Sequence, residues 1–228
     1  MTKTFFVAGT DTDIGKTLAA KALLQALNAL GIHSAGYKPV AAGCHSTAEG
    51  LRNDDALTLQ QASSLSLAYR EVNPYALTQP LSPHLAAPMD QVEIESEVLT
   101  QGLQQLQAQA EVVVVEGAGG WLVPLSDTEN LNQWVVEHQL PVILVVGIRL
   151  GCLNHALLSK RVIEADGLKL AGWIANHVDP DAACQQENLD YLRQHLGAPL
   201  LGRIPYLQQT DTDVGHYLDL SPLALGGK

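Results

Sequence analysis

The sequence has few cysteines and no long apolar run, and each shortage excludes a class of protein. Its three cysteines, Cys44, Cys152 and Cys184, are odd in number, widely spaced and without a Cys-x-x-Cys pair. Such a set argues against a disulfide framework or a zinc site and is typical of a reducing cytoplasm. The longest apolar stretch, residues 141–148, is far too short to cross a bilayer, and the N-terminal apolar run is too short for a signal peptide. We therefore expect a soluble cytoplasmic protein without a membrane partner.

Basic side chains are also scarce, which restricts the kind of partner. The 228 residues carry 13 lysines and arginines against 24 acidic side chains, a formal net charge of -11, and no Lys or Arg occurs in residues 71–148. A nucleic acid requires a basic surface that displaces phosphate counterions, so we expect no nucleic-acid partner. A nucleotide is compatible with this balance, because a few backbone N–H groups and one lysine can hold its phosphates.

Two other chemistries lack their signatures. The eight histidines are dispersed and form no His-x-x-x-His segment, which argues against a histidine-based metal centre. No Gly-x-Ser-x-Gly segment is present, which argues against a serine hydrolase of the α/β type. With 46% hydrophobic and 16% charged residues, the chain has the composition of a globular protein rather than a disordered one.

What is present is an alternation of strand-like and helix-like segments over nearly the whole chain. The pattern predicts an α/β fold, in which a largely parallel sheet has helices on both faces and right-handed crossovers. Glycine lies just past the last turn of three of the predicted helices, which is a common helix stop. Four short runs are apolar on both faces, as buried parallel strands are: residues 5–8, 112–115, 142–146 and 170–174. Five segments predict helices: residues 16–30, 94–109, 131–138, 154–165 and 184–196.

No linker or internal repeat divides the chain, so we expect residues 1–228 to form a single domain. The least regular region, residues 73–88, contains four prolines and several apolar residues but no charged side chain. It is either an ordered surface excursion or a simple connector between layers, and the sequence alone favours neither.

The most specific motif is a phosphate-binding loop. An apolar strand leads into Gly9-Thr10-Asp11-Thr12-Asp13-Ile14-Gly15-Lys16-Thr17, which opens an amphipathic helix. Backbone N–H groups of such a loop point at phosphate oxygens, and the helix dipole favours the anion. In this pattern Gly15 lets the backbone approach ATP, Lys16 neutralises the β- and γ-phosphates, and the Thr17 hydroxyl ligates Mg²⁺. Five residues rather than four separate Gly9 from Gly15, and the alternative is a chance Gly-Lys-Thr at a strand–helix corner.

Magnesium beside phosphates also needs a carboxylate, and Glu116 is well placed to supply it. Glu116 ends the apolar run 112–116 and is followed by Gly117-Ala118-Gly119-Gly120. The carboxyl end of a central parallel strand lies at the same edge of the sheet as the phosphate loop, and the glycines would let a ligand lie close to the backbone. The alternative is a solvated acid beside a flexible turn.

Three further features have both a structural and a functional interpretation. Lys38, in Gly36-Tyr37-Lys38-Pro39-Val40, closes a further predicted strand, the second along the chain. A lone lysine there is usually solvated but could face a developing phosphoryl charge. Asp54 and Asp55 stand at a predicted helix start, where acids ordinarily stabilise the helix terminus. Residues 150–155 open another helix after a buried strand. Their N–H groups could bind a carboxylate, although capping by Asn154 is the commoner explanation.

Together these motifs resemble those of the dethiobiotin synthetase family of ATP-dependent ligases. The resemblance extends over residues 5–207 in family order, and it departs at Ala42, where Ser is common, and at Asp13, where Glu is frequent. The phosphate loop alone is shared with many ATPases, whereas the combination is specific. The matching segments are residues 9–17, 36–40, 51–56, 73–75, 82–84, 116–120, 150–156 and 172–176.

The resemblance implies a homodimer that closes a ureido ring on 7,8-diaminononanoate, using CO₂ and MgATP, and releases dethiobiotin, ADP and phosphate. One substrate amine captures CO₂ as a carbamate, whose oxygen attacks the γ-phosphate to give a carbamic–phosphoric anhydride. The second amine then attacks the carbonyl carbon and expels phosphate. The active site would straddle the interface between the two subunits.

The same resemblance implies roles for particular residues. Lys16 and Lys38 would neutralise the carbamate and the transferring phosphoryl group, and Asn176 would contact the adenine edge. The metal ligands would be Thr17, Asp55 and Glu116. The nucleotide would contact Asp13, Ile14, Gly15, Lys16, Thr17, Leu18, Asp55, Glu116, Gly117, Ala118, Gly119, Asn176, Pro205, Tyr206 and Leu207. The substrate would contact Thr12, Lys38 and the partner subunit's Leu150, Gly151, Cys152, Leu153 and Asn154.

Two other functions remain open at this point. A switch ATPase of the ParA/MinD type has the same phosphate loop but usually carries an additional early lysine, and residues 9–14 contain none. A non-catalytic nucleotide-binding scaffold would tolerate the loss of Lys38, whereas a ligase would not.

Overall fold

The computed structural model describes residues 2–208 and 213–225, over which strands and helices alternate. The strands are β1 (Lys3–Gly9), β2 (Ser34–Tyr37), β3 (Val40–Ala41), β4 (His45–Thr47), β5 (Gly50–Arg52), β6 (Tyr75–Ala76), β7 (Val112–Glu116), β8 (Val142–Gly147), β9 (Leu170–Asn176) and β10 (Leu200–Ile204). The α-helices are α1 (Lys16–Ala29), α2 (Asp54–Ala62), α3 (Tyr69–Val72), α4 (Pro83–Met89), α5 (Ser96–Gln107), α6 (Leu131–Glu137), α7 (Cys152–Ala165) and α8 (Gln185–His195). Two short 3₁₀ helices follow β10, at Gly215–Tyr217 and Ser221–Leu223.

Six strands form one parallel sheet in the order β10-β9-β8-β1-β7-β2. Every residue of β7 and β8 is buried. Because successive side chains of a strand point to opposite faces, this burial means that both faces of the sheet are covered. The predicted α/β fold with a largely parallel sheet is confirmed. No helix in the described ranges is long and apolar enough to span a membrane.

The order of the strands determines which residues share one edge of the sheet. β1 pairs with β7, and β7 pairs with β2, all in parallel. The carboxyl ends of these three strands therefore lie side by side, and each leads into a segment that the sequence singled out: residues 10–15, Lys38 and residues 117–120. Sheet topology, not closeness in sequence, assembles these segments.

Most predicted helix ends agree with the structure to within a few residues, but the predicted cap of α7 does not. Gly31, Gly167 and Gly197 have φ values of 73°, 82° and 66°, which confirms that they end their helices in the left-handed region. At α7, however, the residue before the helix is Gly151, with φ 90°, and it makes no side-chain cap. Asn154 lies inside the first turn, so the predicted capping by Asn154 is wrong.

The proline-rich region at residues 73–88 is an ordered excursion that contains a strand and most of a helix. β6 pairs with β3, and the helix α4 begins at Pro83, whose fixed φ suits the first helical position. Ala86 and Ala87 of α4 are buried. The excursion packs against the rest of the chain and is more than a connector.

Gly102 provides a test of packing between α5 and the sheet. A Cβ at Gly102 would collide with the hydroxyl of Tyr37 and lie 3.0 Å from its Cζ, and Tyr37 is fully buried with its hydroxyl donating to Leu99 O at 2.9 Å. We expect Gly102→Ala to lower the free energy of unfolding by about 1–3 kcal/mol, as overpacking does, despite the better helix propensity of Ala. Urea denaturation measures this change.

The exposed Gln104 in the same helix is the matched control. Gln104→Ala should leave the free energy of unfolding within about 0.5 kcal/mol of the parent value, as exposed substitutions usually do. Equal stability of the two variants would contradict the packing described for Tyr37.

Candidate active site

A cleft of about 1370 Å³ opens at the carboxyl ends of β1, β2 and β7. Its walls come from the phosphate loop, the residue after β2, the start of α2 and the glycine segment after β7. The structure thus brings together half of the residues that were proposed for this site from the sequence and the resemblance. Those that line the cleft are Thr12, Asp13, Gly15, Lys16, Thr17, Leu18, Lys38, Asp55, Glu116, Ala118 and Gly119.

The phosphate loop is so closely packed that two of its glycines cannot carry a side chain. Gly15 precedes α1 with φ 79°, and a Cβ there would collide with the side-chain amide of Asn176. Lys16 curls back over the loop, and its Nζ donates to Asp11 O at 3.0 Å. A Cβ at Gly9 would lie 2.9 Å from both Lys16 Cδ and Asp11 O. The loop therefore holds the Lys16 ammonium directly in front of the first turn of α1.

Lys16 is a buried cation that lacks a close counter-ion. Its exposure is 8%, and among the described ion pairs none involves it. Burial, together with repulsion from Lys38, lowers the pKa of Lys16 from its ordinary value. An anion in the cleft would remove this penalty, and the first-turn N–H groups of α1 lie beside it. The arrangement suits a phosphate group.

A second ammonium group is held between two carboxylates. Lys38 Nζ donates to Glu116 Oε1 at 2.6 Å, to Asp55 Oδ2 at 3.0 Å and to the carbonyl of Gly117 at 3.2 Å. Glu116 Oε1 also accepts the hydroxyl of Thr17 at 2.9 Å. Lys38 and Glu116 are almost wholly buried, with 4% and 1% of their surface exposed. The lysine therefore lies inside the site and is not a solvated strand end.

The protonation of the cluster formed by Lys38, Asp55 and Glu116 reflects competition between burial and electrostatic attraction. Burial acts to lower the pKa of Lys38, but the attraction of Glu116 and then Asp55 outweighs it and raises that pKa. Burial raises the pKa of Glu116, and Lys38 opposes the rise. For Asp55, burial is outweighed by Lys38, which lowers the pKa of the carboxyl group. The two carboxylates stabilise the Lys38 charge and Lys38 stabilises each of theirs, whereas the two carboxylates repel each other.

The same cluster offers oxygen ligands that fit Mg²⁺. Thr17, Asp55 and Glu116 supply one hydroxyl and two carboxylates, which are hard donors of the kind that Mg²⁺ prefers. Among the described residues, Glu116 Oε2 is buried and has no hydrogen-bond partner. The same residues include no group of three or more His, Cys, Asp and Glu side chains that could hold a metal ion by themselves. A metal here would need phosphate oxygens and water as further ligands, which is how Mg²⁺ usually binds.

The last residue of β9 carries a buried side-chain amide that contacts the phosphate loop. Asn176 Nδ2 donates to the carbonyl of Ile14 at 2.8 Å, while Asn176 Oδ1 is buried without a partner among the described residues. Ile14 itself is buried, against Gly147. The amide oxygen therefore has unused hydrogen-bonding capacity, although Asn176, Ile14 and Gly117 are not among the described residues that line the cleft. Residues 205–207 follow the adjacent strand β10, and they are not among the described residues that line the cleft.

The turn that begins α7 lies apart from the cleft. Of the described residues that line the cleft, none belongs to residues 150–154. Leu150 is 98% exposed, whereas the Cys152 side chain is buried, so Cys152 offers only backbone groups to a ligand. Arg149 Nη2 donates to Asp11 Oδ2 at 2.5 Å, which ties this turn to the phosphate loop. The chain by itself does not bring residues 150–154 to the other site residues.

An apolar wall of the cleft was not proposed from the sequence. Its residues come from β3, from the proline-rich excursion and from the segment after the glycines, and they are Ala41, Ala42, Pro80, Leu81, Pro83, Leu122, Val123 and Pro124. The proline-rich excursion and the segment after the glycines are linked, because His84 N–H donates to Pro124 O at 3.2 Å. The Ser82-Pro83-His84 motif was the signal that could have revealed this wall.

Fold and site together define a P-loop nucleotide-binding protein. The chain is similar in fold to a ParA family ATPase of Chlorobium tepidum, with a TM-score of 0.58 at 12% identity over 95% of this chain and 97% of that one. It is also similar to the MinC:MinD cell division protein complex of Aquifex aeolicus, with a TM-score of 0.59 at 15% identity over 96% of this chain and 87% of that one. At such identities the likeness concerns the fold alone.

Sequence relatives narrow the class. A family described as an AAA domain matches residues 3–213. The chain is 55% identical over 224 residues to the ATP-dependent dethiobiotin synthetase BioD of Vibrio campbellii, over 98% of this chain and 99% of the relative. It is 52% identical over 225 residues to the ATP-dependent dethiobiotin synthetase BioD 1 of Escherichia coli, over 98% and 100%. The chain belongs to the ATP-dependent dethiobiotin synthetase family.

Because the Lys16 side chain packs directly against Gly9, a side chain at this glycine should weaken nucleotide binding. Gly9→Ala should displace the Lys16 side chain, because a new Cβ would lie 2.9 Å from Lys16 Cδ. We expect the affinity for MgATP to fall by at least ~10-fold, or about 1.4 kcal/mol. Isothermal titration calorimetry measures the change.

Gly120→Ala is the matched control in the same cleft. The nearest atom to a Cβ at Gly120 is Gly9 O at 3.8 Å, an ordinary contact. This variant should bind MgATP as the parent does. Parent-like affinity in Gly9→Ala would show that Lys16 does not hold the nucleotide from its present path.

Proposed function

We propose that this chain is the ATP-dependent ligase that converts 7,8-diaminononanoate and CO₂ into dethiobiotin, with release of ADP and phosphate. The observation that carries the proposal is the pair of buried ammonium groups, Lys16 and Lys38, in one cleft with the phosphate loop. This reaction needs positive charge where a carbamate meets the γ-phosphate of ATP. Identity above one half to dethiobiotin synthetases over almost the full length supports the same activity.

In this proposal the chain supplies position and charge rather than a nucleophile. One substrate amine adds to CO₂, and an oxygen of the resulting carbamate attacks the γ-phosphorus as ADP leaves. The second amine attacks the carbonyl carbon of the carbamic–phosphoric anhydride, and phosphate leaves as the ring closes. Lys16 and Lys38 would neutralise the negative charge on the carbamate and the transferring phosphoryl group, because fixed cations in a cleft stabilise such charge more than water does.

The metal and the nucleotide would occupy the strand ends beside these lysines. Thr17, Asp55 and Glu116 would hold Mg²⁺, which, when bound, neutralises charge on the β- and γ-phosphates. Support comes from Glu116 Oε2, which is buried and unpartnered among the described residues. The further nucleotide contacts we propose are Asp13, Ile14, Gly15, Lys16, Leu18, Gly117, Ala118, Gly119, Asn176, Pro205, Tyr206 and Leu207.

Asn176 would recognise the base. Its Nδ2 is already engaged by Ile14 O, which leaves the buried Oδ1 to accept a hydrogen bond. The exocyclic amino group of adenine is a donor of the required kind. Residues 205–207 would border the base, because they follow the strand next to the one that carries Asn176.

The diamine would lie between Lys38 and the apolar wall. Thr12 and Lys38 line the cleft and would face the nitrogen-bearing end, while the wall would cover the aliphatic chain. Ala42 offers no hydroxyl group to the substrate. Asp13 keeps the charge of the more frequent Glu with a reach shorter by one methylene. Neither change removes a charge that the proposed reaction uses.

The substrate carboxylate would be bound by a second copy of the chain. Residues 150–154 lie apart from the cleft of their own chain, and Leu150 is almost completely exposed. The helix α7 starts there, and its first-turn N–H groups favour an anion. We therefore propose a homodimer in which the partner subunit's Leu150, Gly151, Cys152, Leu153 and Asn154 complete each active site.

Mixing two inactive variants tests the shared site. Lys38→Met removes the cation, and Leu153→Pro removes one first-turn N–H at a position where a helix tolerates proline. In a random mixture half of the dimers combine both chains, and each of these contains one intact site. Activity should therefore return to roughly a quarter of the parent value. Mixtures as inactive as their components would show that each site is built from one chain.

We propose that residues 1–228 act as one ligase domain, because the cleft and its supports come from β1 through β9 and one continuous core lies beneath them.

We also propose a cytoplasmic location, which suits the three free cysteines, all of them within the described ranges.

A product assay tests the function directly. The purified chain with 7,8-diaminononanoate, bicarbonate and MgATP should form dethiobiotin and ADP in equal amounts, measured by mass spectrometry and a coupled ADP assay. ATP turnover that ignores the diamine would instead indicate a switch ATPase. Nucleotide binding without turnover would indicate a scaffold.

Lys38→Met is the diagnostic variant in that assay. It should lower the rate of product formation by about 10²–10³-fold, the usual effect of removing one group that stabilises transition-state charge. MgATP affinity should change much less, because the phosphate loop and Lys16 remain. A parent-like rate would remove Lys38 from the mechanism.

A further inference from the structure

Lys38 is held in place by a short helix that does not line the cleft. Both main-chain polar groups of Lys38 are bound by the end of α3: its N–H donates to Val72 O at 2.8 Å, and its carbonyl accepts from Asn73 Nδ2 at 2.7 Å. Asn73 is 3% exposed, and its Nδ2 also donates to Tyr75 O at 3.0 Å. Asn73 is thus a buried clamp on the backbone that carries the catalytic ammonium group.

A second set of bonds connects Asn73 to the helix that carries Asp55. The Tyr69 hydroxyl donates to Asn73 Oδ1 at 2.9 Å and accepts the N–H of Asn53 at 2.8 Å. Asn53 in turn directly precedes α2, and its Oδ1 accepts the N–H of Asp55 at 3.0 Å and that of Ala56 at 3.3 Å. We call the Tyr69 hydroxyl and the Asn73 amide the Tyr69–Asn73 bridge.

The bridge has one consistent direction of hydrogen bonding. Asn73 faces two carbonyl groups on one side, so its NH₂ must point there and its Oδ1 must point to Tyr69. The Tyr69 hydroxyl proton is then committed to Asn73, and the hydroxyl oxygen is left to accept the Asn53 N–H. Removing one member leaves buried polar groups without partners, so the bridge is either complete or strongly weakened.

Two observations describe how α3 and its tyrosine are held. The helix has only four residues, which is too short to be stable by itself. The ring of Tyr69 is covered by the guanidinium of Arg52, whose Cζ lies 4.3 Å from the ring centroid. The orientation of the hydroxyl is therefore fixed from one side by the ring contact and from the other by its hydrogen bonds.

We propose that Tyr69 and Asn73 are positioning residues of the ligase, which fix the separation between the Lys38 ammonium and the Asp55 carboxylate. Lys38 follows β2 and Asp55 lies in the first turn of α2, and the bridge connects the two backbones through Asn53. The inference rests on the proposed function of Lys38 and Asp55. It assigns roles to two side chains that touch neither carboxylate of the cluster.

Tyr69→Phe tests the bridge with a minimal change of shape. It removes the hydroxyl that serves both Asn53 and Asn73. The rate of dethiobiotin formation should fall by ~10- to ~100-fold, because small displacements of a catalytic group have effects of this size. The gain in ADP affinity on adding Mg²⁺, measured by calorimetry with Mg²⁺ and with EDTA, should shrink, since Asp55 shifts.

A chemical readout follows the position of Lys38 itself. Trace labelling with acetic anhydride, read by mass spectrometry, should find Lys38 protected in the parent, where it is 4% exposed between two carboxylates. In Tyr69→Phe the labelling of Lys38 should rise several-fold relative to Lys16, which serves as the internal reference. General loosening of the fold would raise both lysines together.

Tyr75→Phe is the matched control. The Tyr75 hydroxyl also accepts a backbone N–H, that of Glu95 at 2.9 Å, but it takes no part in the bridge. This variant should keep the parent rate and the parent labelling ratio. A second variant, Asn73→Asp, keeps the acceptor for Tyr69 while losing both donors, and it should raise Lys38 labelling as Tyr69→Phe does.

The outcomes separate this inference from the proposed function. If the parent makes no dethiobiotin, the proposed function fails, while the labelling ratio still decides whether the bridge holds Lys38. If Tyr69→Phe and Asn73→Asp match Tyr75→Phe in rate, in Mg²⁺-dependent affinity and in labelling, the bridge has only a structural role and the inference is overturned.

Discussion

The contact on which the rest of the site depends is the buried ion pair between Lys38 and Glu116, at 2.6 Å, with Asp55 as a second carboxylate at 3.0 Å. Taking these groups out of water is costly, and the pairing offsets the cost only while the geometry is good. β2, β7 and α2 must therefore meet at one place. The parallel order of the strands brings their ends there, and the ligand cleft forms at the same edge of the sheet.

This constraint also explains how the molecule keeps a cleft full of charge without a ligand. Lys38 is neutralised by carboxylates that have oxygen ligands to offer a metal, and Lys16 is held by the carbonyl of Asp11. The cleft is therefore preorganised, with cations and carboxylates already close to where phosphates and a metal would introduce new charge. Preorganisation of this kind lowers the reorganisation needed during reaction. The apolar wall opposite suits a substrate whose middle is aliphatic.

The sequence predicted those features that depend on local pattern. The apolar run of β7, the glycine stops and the phosphate loop are each readable over a few residues. The cluster is different, because Asp55 and Glu116 lie 17 and 78 residues from Lys38. Glu116 reaches Lys38 through the order of the strands, and Asp55 reaches it through the packing of α2. The resemblance supplied that set. The Tyr69–Asn73 bridge was not predicted, because it contains no charged group and α3 is too short for a periodic pattern. At α7, the left-handed Gly151 precedes the helix in the position for which capping preference favoured Asn154.

The most direct test of the central contact is a crystal structure of the chain with Mg²⁺ and a non-hydrolysable ATP analogue. The account predicts a metal about 2.0–2.1 Å from oxygens of Glu116, Asp55 or Thr17, with the Lys38 ammonium within hydrogen-bonding distance of the γ-phosphate. A metal bound elsewhere, with Lys38 directed away from the triphosphate, would contradict it.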